Sequence, residues 1–380
     1  MIYKKFQDIE LSALGFGTMR LPVLNGDNSK IDEEKTFEMF DYAMKNGVNY
    51  YDTAWGYHDE MSEIVVGKAL KRYPRDSFYV STKFPGYDLS NMPKAEEIFE
   101  KQLEKLQMDY FDFYLIHNVN EMNIDAYLDP KFGILDYFVK QKELGRIKHL
   151  GFSAHGLIPT MEKFFEVYGP HMEFCQIQLN YVDYFYQDAK GKIDLINKYN
   201  IPVWVMEPLR GGKLAKVSEN YEKRLTALRG KPVTEMAFRF LQSIPEVTMT
   251  LSGMSDMEQM KANIETYKTD EPLNEAEMKE VCAVAKDMIA EGTVPCTACR
   301  YCTSYCTKQL DIPRLIGLYN DQMFLKLNFM TLMGLAAIDK AKHPDACVAC
   351  KKCEQVCPQN IKISEVMKKF ADLIPTLKME

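Results

Sequence analysis

Residues 78–118 read FYVSTKFPGYDLSNMPKAEEIFEKQLEKLQMDYFDFYLIHN. A strand-like run, FYVSTK, opens the segment, a second, FDFYLIHN from Phe111, closes it, and Pro93–Gln107 between them reads as an amphipathic helix. Strand, helix and strand in succession mark parallel pairing, because parallel neighbours need a long crossover to bring the chain back. The same alternation runs outward in both directions. Further candidate strands are LGFGTM from Leu14, NYYDTA from Asn49, IKHLGFSAH from Ile147, FCQIQLN from Phe174, PVWVMEP from Pro202 and VTMTLSG from Val247. Helical stretches include Glu33–Asn46, Met61–Leu70, Pro159–Tyr168 and Asp256–Thr266, with no run of consecutive strands. Eight βα units over about 250 residues predict an α/β fold, a closed (β/α)8 TIM barrel. An open doubly wound sheet would carry a G-x-G-x-x-G turn after its first strand, and none follows Leu14–Met19.

The chain has 380 residues, 46% apolar and 27% charged, proportions that exclude long disorder and coiled coil. Its 47 basic and 54 acidic residues, a formal −7, argue against a general affinity for nucleic acid or anionic membrane. No run of signal-peptide type or of about 18 apolar residues is present, so the expected location is cytoplasmic. Eight of the ten cysteines fall between Cys296 and Cys357, leaving only Cys175 and Cys282 before them. That clustering points to metal ligation in a reducing compartment. The expected division is a barrel over residues 1–285 and a small, mainly α-helical iron–sulfur domain over 286–380. Apolar positions three and four apart across Asp311–Lys342 support helices between the two cysteine groups.

Cys296, Cys299, Cys302 and Cys306 have the spacing C-x2-C-x2-C-x3-C, and Cys347, Cys350, Cys353 and Cys357 repeat it, followed by Pro358. In two-cluster ferredoxins the first three thiolates of such a run hold one 4Fe–4S cluster and the fourth ligates the other. The assignment is therefore Cys296, Cys299, Cys302 and Cys357 to one cluster, and Cys347, Cys350, Cys353 and Cys306 to the second. Four thiolates also satisfy structural zinc, although zinc modules usually supply two separated C-x2-C pairs. Thr307 stands where the ferredoxin pattern has proline. The intervening residues 307–346 resemble the helical ferredoxin modules that accompany reductase and dehydrogenase subunits.

Three successive strand ends of the barrel carry four polar residues: Asp52 and Tyr57 in YDTAWGYHDEMSE, Lys83 in VSTK and His117 in YLIHN. Each alone reads as a cap or a solvated partner. Together they make a proton-transfer set: a lysine ammonium lowers the pKa of a neighbouring phenol, an aspartate keeps that lysine charged, and a histidine hydrogen-bonds a substrate oxygen.

Through LGFGTMRLP, YDTAWGYHDEMSEIVVGKAL, STK, LIHN, GFSAH, Gln176 in FCQIQLNY, EPLRGGKL and LSGMSDMEQMKANIE, in this order, the sequence resembles the aldo-keto reductase superfamily over roughly residues 1–270. The resemblance implies Tyr57 as general acid, Lys83 and Asp52 as its tuners, and His117 as the group that orients a carbonyl. It implies NADPH or NADH extended over the strand ends. Ser153 and Gln176 would meet the carboxamide, Leu209, Gly211 and Gly212 the pyrophosphate, and Ser255, Gln259 and Asn263 the adenine-ribose end. The chain departs from the family at Ala154, at Met206-Glu207 where an aromatic residue often stacks on the nicotinamide, at Gly253 where some members have a lysine, and at His58 where glycine is common. The expected activity is NAD(P)H-dependent reduction of an aldehyde, ketone or sugar-like carbonyl, or the reverse alcohol oxidation. The fused clusters would serve electron transfer, sensing or docking, with a redox partner protein possible. The alternative is an iron–sulfur electron-transfer subunit whose barrel is a donor site or scaffold. Specificity is expected in the loops Asn118–Lys131 and Asn180–Lys192.

Overall fold

The computed structural model describes residues 1–294, 296, 300, 302–325, 328–357 and 359–378. Tyr3–Phe6 (β1) and Ile9–Ser12 (β2) pair antiparallel, and eight strands follow: Leu14–Gly17 (β3), Tyr50–Asp52 (β4), Tyr79–Phe84 (β5), Phe111–Val119 (β6), Ile147–Ala154 (β7), Cys175–Gln178 (β8), Val203–Met206 (β9) and Val247–Gly253 (β10). β3 to β10 form a closed parallel barrel in which β10 returns to pair with β3. Their side chains are buried almost throughout, as expected of strands covered outside by helices and packed inside the barrel. The helix Ala95–Leu106 shows how the cover is made: Ile98, Phe99, Gln102, Leu103 and Leu106 face inward, and Gln107 in the left-handed conformation (φ 54°) stops it.

The β1–β2 hairpin corrects the expectation of strict alternation, since three strands run consecutively from Tyr3 to Gly17. Its turn is made by Gln7 at φ 52° and carries no glycine, so the sequence lacks the usual hairpin punctuation. The hairpin plugs the N-terminal end of the barrel. Phe6 enters an aromatic layer with Phe113, Trp204 and Phe174, at centroid distances of 5.6, 5.3 and 6.4 Å. Gly151 on β7 makes room for this layer, because a Cβ there would stand 2.5 Å from the Phe174 ring. The opposite, C-terminal end of the barrel is left for chemistry.

The same closed end carries a charged clasp. Glu173 accepts hydrogen bonds from Gln7 Nε2 (2.6 Å), the Leu150 N–H (3.1 Å) and Lys142 Nζ, and pairs with His149 Nδ1 (2.9 Å). Burial pushes its carboxyl up, but the bonds from His149, Lys142, Gln7 and Leu150 outweigh that and hold it at about 2. A depressed folded-state value contributes stability above the unfolded value near 4.3, and that contribution is lost as pH falls toward about 2. We therefore expect Glu173→Gln to cost on the order of 2–3 kcal/mol at pH 7 and much less near pH 2. Urea unfolding at both pH values measures the difference; an equal cost at both would exclude the linkage.

The contacts divide the chain into two units, Met1–Val284 and Ala285–Glu380, the division falling inside the helix Glu275–Gly292. In the second unit the helices Ile312–Leu325 and Asn328–Ala336 fall in the stretch expected to be helical, and a further helix, Ile363–Leu373, follows the second cysteine group. Leu315, Ile316, Met367 and Phe370 lie in its apolar core, and Cys302 and Cys353 are built into the same core. Among the described residues no helix is long and apolar enough to cross a membrane.

Candidate active site and cysteine-lined hollow

Asp52 ends β4, and Lys83 lies one residue before the end of β5, so neighbouring strands deliver them side by side. Lys83 is fully buried. Its Nζ donates to Asp52 Oδ1 (2.7 Å) and the Thr53 carbonyl (2.7 Å), and stands 3.5 Å from Tyr57 OH. Asp52 Oδ2 accepts from Ser81 Oγ at 2.7 Å. Burial would strip the Lys83 charge, but Asp52 overrides it and raises the ammonium pKa. For Tyr57, burial is the largest effect and pushes the phenol above its ordinary value, with Lys83 pulling it back and Asp52 adding to the rise. The lysine acts in the expected direction, yet the net shift is upward, so Tyr57 stays protonated at neutral pH and is poised to donate. His117, on β6, lies with its ring 6.4 Å from that of Tyr57. Burial and the Lys83 charge push its pKa well below the ordinary range, so it presents a neutral imidazole.

The loop that carries Tyr57 is tied down. His58, Asp59 and Glu60 are consecutive left-handed residues, at φ 52°, 52° and 70°. This conformation is what glycine would adopt without strain. Here His58 holds it by hydrogen bonding: the Leu21 N–H donates to Nε2 (3.0 Å), and Nδ1 meets the Asn28 carbonyl (3.0 Å). His58 is thus buried beneath the loop after β3 and clasps that loop to the Tyr57 turn.

The residues assigned to a dinucleotide lie along the same strand ends. Ser153 and Gln176 are register partners on β7 and β8, and Ser153 Oγ accepts from the Asn118 N–H at 2.8 Å. Gly211 and Gly212 follow Leu209 with φ 64° and 89°, and a Cβ on Gly212 would meet nothing within 4 Å. Such an open backbone turn suits the close approach of a phosphate. At the far end, Gln259 Oε1 accepts from the Ser255 N–H (3.0 Å), its Nε2 donates to Asp256 Oδ2 (2.8 Å), and Asn263 Nδ2 donates to Ser252 Oγ (3.1 Å). These three residues therefore shape the turn after β10 as well as lining it.

Several mouth residues were not legible in the sequence. The Tyr87 ring stands 5.5 Å from that of His117, and its hydroxyl lies over Gly56. Arg20 pairs with Glu207 at 3.5 Å, with Gly211 beside them, so the position where an aromatic residue often stacks carries an ion pair. Asp183 and Arg210, both buried, pair at 3.2 Å, and Asp183 also accepts from Gln178 and Asn180, which fixes the turn holding Gly211. A charged residue just after an apolar strand, as in TMRLP, was the available signal for Arg20. The two stretches expected as loops hold short helices, Ile124–Leu128, Asp183–Tyr186 and the start of Ala189–Asn197.

In the second unit, Cys306, Cys347, Cys350 and Cys353 line one hollow with Leu310, Ile312, Ile363 and Met367. Cys306 thus joins the three thiols of the later run. Burial pushes the Cys353 thiol up to about 11, and the Cys306 and Cys347 thiols nearby add to the rise, a crowding that a bound cation relieves. Cys350 is exposed and held below the usual range by the Lys352 N–H and the Thr307 hydroxyl, whose Oγ1 is 3.6 Å from its Sγ. The Leu310 N–H donates to Cys306 Sγ at 3.3 Å. Among the described residues, no three His, Cys, Asp or Glu side chains converge as a single-ion site; the four thiols line a wall instead. Of the other assigned set, Cys302 lies in the apolar core with Cys296 and Cys357 packed against it, and Cys299 is outside the described residues.

A closed parallel barrel with a charged lysine held between a carboxylate and a phenol at its strand ends is the architecture of an enzyme scaffold. Residues 13–286 match the Aldo/keto reductase family, and the chain belongs to that family as an oxidoreductase. Residues 295–361 match the 4Fe-4S dicluster domain. "Probable aldo-keto reductase 1" of Glycine max is 30% identical over 155 residues, 39% of this chain and 42% of that protein, so the match spans less than half of that relative. The L-galactose dehydrogenase of Arabidopsis thaliana is 24% identical over 288 residues, 67% of this chain and 84% of its own. An aldo-keto reductase from Klebsiella pneumoniae, solved in complex with NADPH, shares the fold with a TM-score of 0.61 at 20% identity, covering 75% of this chain and 96% of that one.

Proposed function

We propose that the barrel, residues 1–285, reduces a carbonyl of an aldehyde, ketone or sugar-like substrate, or runs the reverse oxidation, and that residues 286–380 hold two 4Fe–4S clusters. The observation that carries the first part is the Lys83 ammonium, 2.7 Å from Asp52 and 3.5 Å from the Tyr57 hydroxyl. When bound, NADPH or NADH supplies the hydride and the clusters supply one-electron chemistry. Tyr57 donates the proton to the carbonyl oxygen as negative charge develops there, and Lys83 stabilises the phenolate left behind. Asp52 keeps Lys83 charged, and neutral His117 orients the carbonyl. Ser153 and Gln176 bind the carboxamide, Leu209, Gly211 and Gly212 the pyrophosphate, and Ser255, Gln259 and Asn263 the adenine-ribose end. A relative of the same fold solved with NADPH supports this reading.

Cys347, Cys350, Cys353 and Cys306 hold one cluster, and Cys296, Cys299, Cys302 and Cys357 the other; the hollow lined by the first set supports this. The test is an anaerobic optical and EPR titration with NADPH and NADH, with iron and sulfide counted. About eight irons per chain are expected, together with oxidation of the nicotinamide when a carbonyl is added. Two or fewer irons per chain would overturn the cluster assignment, and failure to reduce any of a panel of aldehydes, ketones and sugars would overturn the barrel chemistry. Electrons reaching the clusters from the nicotinamide without any carbonyl would favour the electron-transfer reading.

A further inference from the structure

The hollow lined by Cys306, Cys347, Cys350 and Cys353 opens at one edge, where Cys350 and Val348 are exposed. Lys308 and Lys351 line it too, no acidic residue does, and Lys352 follows directly, its N–H bonded to the Cys350 thiol. Among the described residues none of these three exposed lysines makes an ion pair. Lys342 adds a fourth cation beside them, with its Nζ 2.8 Å from the Lys308 carbonyl. Glu354, the acid that follows Cys353, accepts from the Ser364 N–H (2.9 Å) and hydroxyl, and its charge lies within electrostatic reach of Lys351. A chain of net charge −7 thus gathers three exposed lysines that make no ion pair among the described residues around an exposed cysteine and an exposed apolar side chain.

We infer that Lys308, Lys351 and Lys352, around the exposed Cys350 and Val348, form the docking surface of an acidic one-electron carrier protein. The inference rests on the cluster assignment above. An apolar centre with a rim of one charge suits transient docking: the rim steers and orients the partner, and the small centre keeps the complex short-lived. Steering also answers the overall repulsion that an acidic carrier meets from an acidic chain, because fields beyond about 8–10 Å are screened and the local patch governs the final approach. The exchange balances as one electron: a flavin hydroquinone anion on the carrier becomes the neutral semiquinone, a 4Fe–4S cluster held by the four thiolates would take the electron and gain one negative charge, and no proton moves.

The test uses the full-length protein, purified anaerobically with its iron counted, and flavodoxin as the acidic probe. Calorimetric affinity for oxidised flavodoxin and the second-order rate with its hydroquinone are measured at about 20 and 200 mM salt. Both are expected to fall about tenfold or more at the higher salt, and by a similar factor at low salt in the triple variant Lys308→Glu, Lys351→Glu and Lys352→Glu. Iron content, and reduction by photogenerated deazaflavin radical, are expected to stay unchanged, which shows the variant is folded and loaded. The single variants Lys308→Glu and Lys352→Glu keep the test alive should the triple variant fail to load. Affinity and rate equal to the parent's in loaded variants overturn the surface, as does tighter binding of cationic cytochrome c than of flavodoxin. Charge-reversal loss of single-stranded DNA binding without loss of flavodoxin reactivity also overturns it. A parent protein without iron and sulfide overturns the cluster assignment itself, before any carrier is added.

Discussion

Tyr57→Phe is expected to lower kcat for carbonyl reduction by about 10²–10⁴-fold or more, with the cofactor's affinity and the iron content unchanged. The substitution removes one oxygen and little else. The ring keeps its place beside His117, and Lys83 Nζ still lies 5.0 Å from the ring centroid. Lys83 retains its two bonds of 2.7 Å to Asp52 and Thr53, so the buried charge pair survives and the fold is not asked to bear an unpaired ion. What is lost is the acidic proton, which burial keeps on the phenol at neutral pH. The same upward shift makes the reverse direction, which needs the phenolate, rise with pH through the neutral range. Single-turnover nicotinamide oxidation with saturating carbonyl measures the step. A parent-like rate in Tyr57→Phe would remove Tyr57 from the reaction, and a parent-like rate of cluster-to-carrier transfer beside a dead carbonyl activity would separate the two halves of the chain.

The second large effect is expected in the cysteine-rich unit. Cys353→Ala should lower the iron count from about eight to about four per chain and loosen residues 285–380, leaving the barrel intact. Cys353 is only 7% exposed and shares its apolar core with Leu310, Ile312 and Met367. A unit of this size buries a modest core, and metal binding then supplies much of its folding free energy. Iron counting together with limited proteolysis reads both consequences. Full iron content in the variant would remove Cys353 from the ligand set; loss of iron with unchanged protease resistance would show that the unit folds on its apolar core alone.

The alternation of strands and helices, the cysteine spacing and the polar strand ends were legible because each is written in neighbouring residues. Each barrel strand overlaps its expected run, β5 and β6 ending one residue beyond theirs at Phe84 and Val119, and adjacent parallel strands bring Asp52 and Lys83 to 2.7 Å while the loop after β4 sets the Tyr57 hydroxyl 3.5 Å from Lys83. The β1–β2 hairpin escaped because its turn is made by a left-handed glutamine and its short strands mix charge with apolar residues. The clasp by His58 escaped for a related reason: a histidine where glycine is common marks an unusual backbone, but its partners, Leu21 and Asn28, lie 37 and 30 residues away.

Periodicity and spacing thus determined by themselves that this chain is a parallel barrel with Asp52, Tyr57, Lys83 and His117 after successive strands, followed by a helical unit with two runs of cysteines. Folding alone decided the rest. The Arg20–Glu207 pair, the Asp183–Arg210 anchor and the meeting of Cys306 with Cys347, Cys350 and Cys353 join residues that no local pattern links. The same holds for the Tyr57 phenol, whose pKa depends on burial as well as on Lys83. Desolvation and Coulomb interaction vary with distance and depth in three dimensions, and a linear pattern carries neither quantity.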